Sequence, residues 1–147
     1  MIFVSERVIV GNSRDEEGLD LRPLGVGAIL NVAFDLQGTR GCRQGVEYAQ
    51  VGLVDGPGNH LETYCAAVLA LAGLLRNHRR AMVCCHKGQS RSMTIAMMHA
   101  NVTLRRTWEE VLAVFRERTG ADLPAPHPAH AEAFARVDWD LLGRLVE

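Results

Sequence analysis

The chain has 147 residues, of which 48% are hydrophobic, 22% charged and 5% aromatic. That composition describes one globular domain spanning residues 1–147, with no room for two, and excludes a disordered or fibrous protein. Sixteen basic and seventeen acidic side chains leave a formal charge of −1, which argues against nucleic acid or a membrane as a partner.

Fifteen of the basic residues are arginine, so the position of the one lysine, Lys87, matters. Met1 to Arg7 meets charge before an apolar run can form, so no signal peptide is expected. The longest apolar run, Tyr64 to Leu75, has twelve residues; it is too short to cross a bilayer and reads as a buried helix. Four cysteines, Cys42, Cys65, Cys84 and Cys85, lack the spacing of a disulfide framework or a zinc site. A reducing, cytoplasmic setting is expected, in which a cysteine serves as a core residue or a nucleophile.

Residues 1–10 are apolar and β-branched around Ser5-Glu6-Arg7, which predicts two short strands or a hairpin. Arg14 to Leu24 carries Leu19, Leu21 and Leu24 and predicts a short helix ending near Pro23-Leu24-Gly25. Ala28 to Val32 predicts a buried strand, followed by a loop punctuated by Gly38, Gly41 and Gly45. Val46 to Val54 predicts another strand, closed by the turn-rich Asp55-Gly56-Pro57-Gly58-Asn59. His60 to His78 follows as a helix, Ala81 to Cys84 as a buried strand, and Ser92 to Val102 as a helix. Thr107-Trp108-Glu109-Glu110 is a capping box that opens a helix running to Gly120. Three prolines make Ala121 to Pro128 a loop, and the remainder to Leu145 reads as one last helix. Strands alternating with helices predict an α/β fold with a central, mostly parallel sheet flanked by helices. Ligands bind beyond the carboxyl ends of such strands, which singles out the loops after Val54 and after Cys84.

The second of these loops reads Cys85-His86-Lys87-Gly88-Gln89-Ser90-Arg91-Ser92 and leads into a predicted helix. Backbone N–H groups at a helix N-terminus form an anion cradle, which the helix dipole reinforces. Gly88 permits backbone angles that other residues resist. Arg91 can fork onto two phosphate oxygens. A thiol in that field is expected to ionise readily, so nucleophile and oxyanion cradle arrive together, as displacement at phosphorus requires. On this composition about 0.003 accidental matches are expected for Cys with Gly three residues on, Arg six on and Ser or Thr next. Only Cys85 satisfies the pattern.

Cys-x5-Arg-Ser/Thr resembles the phosphate-binding loop of cysteine-dependent protein tyrosine phosphatases, and the context resembles their small dual-specificity branch. Ile29-Leu30-Asn31-Val32-Ala33 is similar to that branch's early strand, and Asp55 lies 30 residues before Cys85, where those enzymes carry a general acid. The resemblance spans nearly the whole chain and implies a phosphotyrosine phosphatase-like fold. It further implies that Cys85 attacks phosphorus, that Arg91 and the amides of His86, Lys87, Gly88, Gln89 and Ser90 hold the phosphate oxygens, and that Ser92 helps the sulfur leave. Asp55 would protonate the leaving oxygen; its other reading is a turn residue, and Asp35 is the alternative acid. Ser92 also reads as the cap of the next helix. No metal and no cofactor is implied. The expected partner is a phosphorylated protein substrate, and the expected state a monomer.

One departure concerns the residue before the nucleophile, which is usually His in that family and is Cys84 here. Its absence implies a slower enzyme or a higher pH optimum. Cys84, Cys42 or Cys65 would be the partners of a reversible disulfide with Cys85. His86 and Lys87 suggest polyanions such as phosphoinositides, or else are solvent-facing residues without a substrate role. His127 and His130 read as a metal pair, as a border of the catalytic face, or as packing. Arg76, Arg79 and Arg80 read as dipole partners at a helix end, and Trp108 and Trp139 as core aromatics. The rival functions are a catalytically weak phosphopeptide-binding module and a sulfur transferase of rhodanese type.

Overall fold

The computed structural model describes residues 1–18, 20–36, 45–105, 107–119 and 125–147. Its strands are β1 (Ile2–Phe3), β2 (Val8–Gly11), β3 (Val26–Ala33), β4 (Glu47–Leu53) and β5 (Arg80–Cys84). They form one sheet in the order β1-β2-β5-β3-β4, in which β2, β5, β3 and β4 run parallel and β1 alone is antiparallel. The helices are α1 (Ser13–Gly18), α2 (Leu61–Asn77), α3 (Arg91–Leu104), α4 (Trp108–Thr119), α5 (Pro128–Arg136) and α6 (Trp139–Val146). The mostly parallel sheet flanked by helices is the architecture the alternating pattern predicts.

Side chains alternate across the sheet because a strand has a period of two. On β3 and β5, Ala28, Leu30, Val32, Ala81 and Val83 enter a large core shared with α2, α3 and α5. Ile29, Met82 and Cys84 face the other side, where Ile9, Leu21 and Val26 complete a smaller cluster. The continuous apolar runs of these strands reflect burial on both faces. Each fully buried side chain such as Leu30 or Leu71 contributes about 1.5–3 kcal/mol relative to exposure.

Three expectations need correction. The helix expected over Arg14 to Leu24 is only Ser13–Gly18; Leu21 to Gly25 instead forms a turn, closed by Leu24 and Gly25 N–H bonds to Leu21 and Arg22 carbonyls. The single last helix is two. Val137 is extended (φ −66°, ψ 135°), and Asp138 restarts the helix by accepting the Leu141 N–H at 3.0 Å. Of the basic residues expected to serve the dipole at the end of α2, only Arg76 lies in its last turn; Arg80 opens β5, and both are structural ties. Arg76 donates to the Val146 and Glu147 carbonyls, and Arg80 to those of Glu6 and Leu24. The capping box is present: Thr107 and Glu110 exchange side-chain to backbone bonds at 2.8 and 3.2 Å. The glycine loop at 38 and 41, Cys42, Gly120 and the first half of the proline loop lie outside the described residues.

The topology places the site. β5 occupies the middle of the sheet between β2 and β3, so the loop at Cys85 emerges from the centre of its carboxyl edge. Since β2, β3 and β4 run in the same direction, the turns carrying Asn12, Asp35 and Asp55 open on that edge too.

Candidate active site

The loop Cys85 to Ser90 joins β5 to α3. It is fastened from below by the turn after β2, where the Ser13 N–H and hydroxyl both donate to the His86 carbonyl at 3.2 and 3.3 Å. Gly88 has φ +67°, and a Cβ there would sit 2.7 Å from the Gly11 carbonyl oxygen, so this position requires glycine on both counts. Ser90 precedes α3 without capping it; its carbonyl instead accepts the Thr94 N–H and hydroxyl at 2.9 and 2.8 Å.

Cys85 is 2% exposed. Its Sγ lies 3.1 Å from the Ser92 hydroxyl, and the backbone N–H groups of Ser92, Gly88 and Gln89 point to it. Burial pushes the thiol up, but the Ser92 hydroxyl and these amides outweigh it, so the thiol ionises below its usual value. Cys84 lies on the other side of the sheet, in the smaller apolar cluster. The lowering of the Cys85 thiol comes from donors in and just after the loop, Ser92, Gly88 and Gln89. The opposite orientations also mean that a Cys84–Cys85 disulfide would require the strand end to rearrange. Cys65 lies on α2, where burial and Glu62 hold its thiol up.

Arg91, the first residue of α3, is 6% exposed. Its Nη1 donates to Asp35 Oδ1 at 2.7 Å and to the Leu53 carbonyl at 3.0 Å. Its Nε has no partner, the one buried side-chain nitrogen or oxygen so placed among the described residues. A buried orphan donor is costly, and an anion in the loop would satisfy it. Asp35 also lies 3.3 Å from His86 Nε2, and Arg91 first, against a smaller opposing effect of burial, holds its carboxyl below the usual range. The turn carrying Asp35 is set by buried Asn31, whose side chain donates to the Leu36 carbonyl and accepts the Ala33 N–H at 2.7 and 2.9 Å.

Asp55 reaches the same loop from β4, with its side chain 45% exposed. Its Oδ1 accepts from the Ser90 hydroxyl at 2.6 Å and from His130 Nε2 at 3.0 Å. Burial raises this carboxyl, but Ser90 and His130, with the Arg91 charge, outweigh it and hold it below its usual value. The turn is closed by Asn59, whose side chain accepts the Val54 N–H and donates to the Val54 carbonyl, both at 2.8 Å.

The structure therefore gathers Cys85, Gly88, Gln89, Ser90, Arg91, Ser92 and Asp55 at one edge, with Asp35 on Arg91. His86 is engaged by Asp35, and Lys87 is exposed. The metal-pair reading of His127 and His130 does not hold. His127 Nδ1 accepts the Ala129 N–H at 3.1 Å, and both His130 nitrogens have protein partners. What the linear reading did not connect is Asp35 with Arg91, and His130 and Tyr64 with Asp55. The spacing of these residues carries no signal, because each pair joins distant segments.

The sheet and the helices that flank it form a fold shared with solved phosphatase structures. Human DUSP28 superposes with a TM-score of 0.82 at 17% identity, over 98% of this chain and 99% of its own. DUSP15 superposes with a TM-score of 0.82 at 19% identity, over 99% and 94%. A human tyrosine phosphatase-like serine/threonine/tyrosine-interacting protein superposes with a TM-score of 0.78 at 15% identity, over 95% and 96%. No protein-family model and no curated protein matches the sequence. The chain has the fold of the small single-domain dual-specificity phosphatases. No helix among the described residues is long and apolar enough to cross a membrane.

Proposed function

We propose that the protein is a cysteine-dependent phosphatase that hydrolyses phosphomonoesters, on phosphotyrosine and phosphoserine or phosphothreonine of proteins, through a phosphocysteine, in one catalytic domain of residues 1–147. The observation that carries the reading is the Cys85 thiol, lowered by Ser92 and the loop amides, in a loop that ends at Arg91 with a buried, unpartnered Nε. That Nε and the amides supply the donors that three equatorial phosphate oxygens demand.

In this mechanism the Cys85 thiolate forms a bond to phosphorus as the ester P–O bond breaks. Asp55 gives its proton to the departing oxygen, because an alkoxide leaves poorly. Water then attacks phosphorus, losing a proton to Asp55 as the P–S bond breaks, and Ser92 donates to the sulfur that regains its charge. Asp55 is preferred over Asp35 because Asp35 is committed to Arg91 at 2.7 Å.

The test is metal-free hydrolysis of p-nitrophenyl phosphate by wild type and Cys85→Ser from about pH 5 to 8, below the ordinary thiol value. Turnover that survives a chelator and disappears in the variant supports the reading. Equal turnover in both contradicts it, and thiosulfate-dependent thiocyanate formation would point to the sulfur transferase instead.

A further inference from the structure

Helix α5 buries Ala133 and Phe134, and His130 stands one turn earlier on the same side, with no exposed surface. An imidazole costs free energy at such a position unless both nitrogens find partners. Nδ1 lies 2.6 Å from the Tyr64 hydroxyl, and Nε2 lies 3.0 Å from Asp55 Oδ1. A carboxylate only accepts, so Nε2 carries the hydrogen and Nδ1 accepts from Tyr64. The Tyr64 oxygen in turn accepts from Asn59 Nδ2 at 3.3 Å. The chain of bonds thus leaves the acid loop at Asp55, passes through α5 and α2, and returns to the same loop at Asn59. A second branch ties the loop to the phosphate cradle: the His127 N–H donates to Ser90 Oγ at 3.0 Å, and Ser90 Oγ donates to Asp55 Oδ1 at 2.6 Å.

We propose that His130, oriented by Tyr64, is a positioning residue for Asp55: with Ser90 it pins Oδ1 and thereby makes Oδ2 the oxygen that delivers the proton to the leaving group. The inference rests on Asp55 being the general acid. Oδ1 already faces two donors, so a proton placed there would meet their hydrogens, whereas no hydrogen bond from the described residues reaches Oδ2. When the S–P bond forms and the ester P–O bond breaks, the Oδ2 proton moves to the departing oxygen. The new carboxylate charge is received by two hydrogen bonds that are in place beforehand, so no reorganisation is needed at that moment. The returning proton comes from the water whose oxygen bonds phosphorus. The acid is thus held ready, and the loop needs no closing motion to bring it to Ser90.

The groups that act on Asp55 are Ser90 from the loop, His130 from α5 and Arg91 from α3. Those facing His130 are Tyr64 from α2, Asp55 from the acid loop, His127 at the cap of α5 and Arg91 from α3. Burial pushes the His130 imidazole down more than Asp55 pulls it up, and His127 and Arg91 add to the lowering. That lowering favours the neutral imidazole. It acts as an oriented donor rather than as a cation, and removing it weakens the hold on ionised Asp55.

The test compares wild type, His130→Leu, His130→Gln and Tyr64→Phe on p-nitrophenyl phosphate and on phenyl phosphate, whose leaving group needs the proton far more. His130→Leu should lower kcat on phenyl phosphate roughly 10–100-fold with KM unchanged, and on the nitrophenyl ester less than about threefold. The limb that falls with rising pH should move to higher pH. His130→Gln, which keeps an N–H donor, should recover most of the loss, and Tyr64→Phe should show a smaller loss of the same pattern. Equal losses on the two esters, or an unmoved limb, would overturn the inference while leaving the phosphatase reading intact. If His130→Leu fails to fold, as read by thermal melting, the Tyr64→Phe and His130→Gln comparison decides by the same criteria. A wild type inactive on both esters contradicts the phosphatase reading itself. The Asp55 carboxyl titration followed by NMR then decides the network: a higher midpoint in Tyr64→Phe or His130→Leu supports it, and an unchanged midpoint overturns it.

Discussion

Two loops at the carboxyl edge of one sheet, given complementary roles in the proposed mechanism, are built in opposite ways. The loop after β5 is almost self-sufficient. Eight consecutive residues, Cys85 to Ser92, contain the sulfur, three amides that point to it, the hydroxyl beside it and the arginine. The loop after β4 contributes one carboxylate, and everything that holds it comes from elsewhere: Ser90 from the other loop, His130 from α5 and Tyr64 from α2. A locally encoded loop survives much change around it, whereas an assembled carboxylate depends on the packing of three elements.

The sharpest way to break this comparison is to remove the acid while sparing the cradle. Asp55→Asn should lower turnover about 10²–10³-fold, the scale of a general acid, while phosphate binding persists. Its pH profile tests the signs. In the proposed mechanism Cys85 reacts ionised, so the rate rises as pH climbs through the lowered thiol value; Asp55 reacts protonated, so the rate falls as pH climbs through the lowered carboxyl value. Lowering both draws the optimum to the acid side of neutral, and Asp55→Asn should erase the falling limb alone. Asp35→Asn should keep that limb and raise KM, since the 2.7 Å partner of Arg91 loses its charge. If Asp35→Asn erases the limb instead, the assignment of the acid reverses.

A smaller effect probes the cradle. Ser92→Ala removes the 3.1 Å contact with the sulfur, so iodoacetamide titration should show the Cys85 thiol ionising at higher pH than in wild type. Turnover should fall about tenfold, in keeping with one hydrogen bond to a charged group. An unchanged titration would place the lowering in the amides alone.

These two modes of construction also explain what the linear order of residues reveals. The cradle is legible because its parts are neighbours in the chain, and Gly88 is legible because a tight anion-binding turn needs it. The strands show themselves by apolar runs bounded by glycine, and Asp55 by its position at the end of one of them. The partners of Asp55 and Arg91 are invisible in the same reading. Nothing in the spacing of Tyr64, Asp55 and His130 says that α2 and α5 converge on one turn, and a histidine in a helical apolar stripe reads as packing. The break at Val137 was missed for a local reason: the apolar pattern continues across it, and only the capping role of Asp138 marks the restart.

The central claim is that phosphorus becomes bonded to Cys85 during turnover. Rapid acid quench of wild type and Asp55→Asn with p-nitrophenyl phosphate, followed by peptide mass spectrometry, tests it directly. The account predicts one phosphoryl group on the peptide containing Cys85 and none on that peptide from Cys85→Ser. Turnover with no phosphoryl group on Cys85, or with the group on another residue, would contradict it.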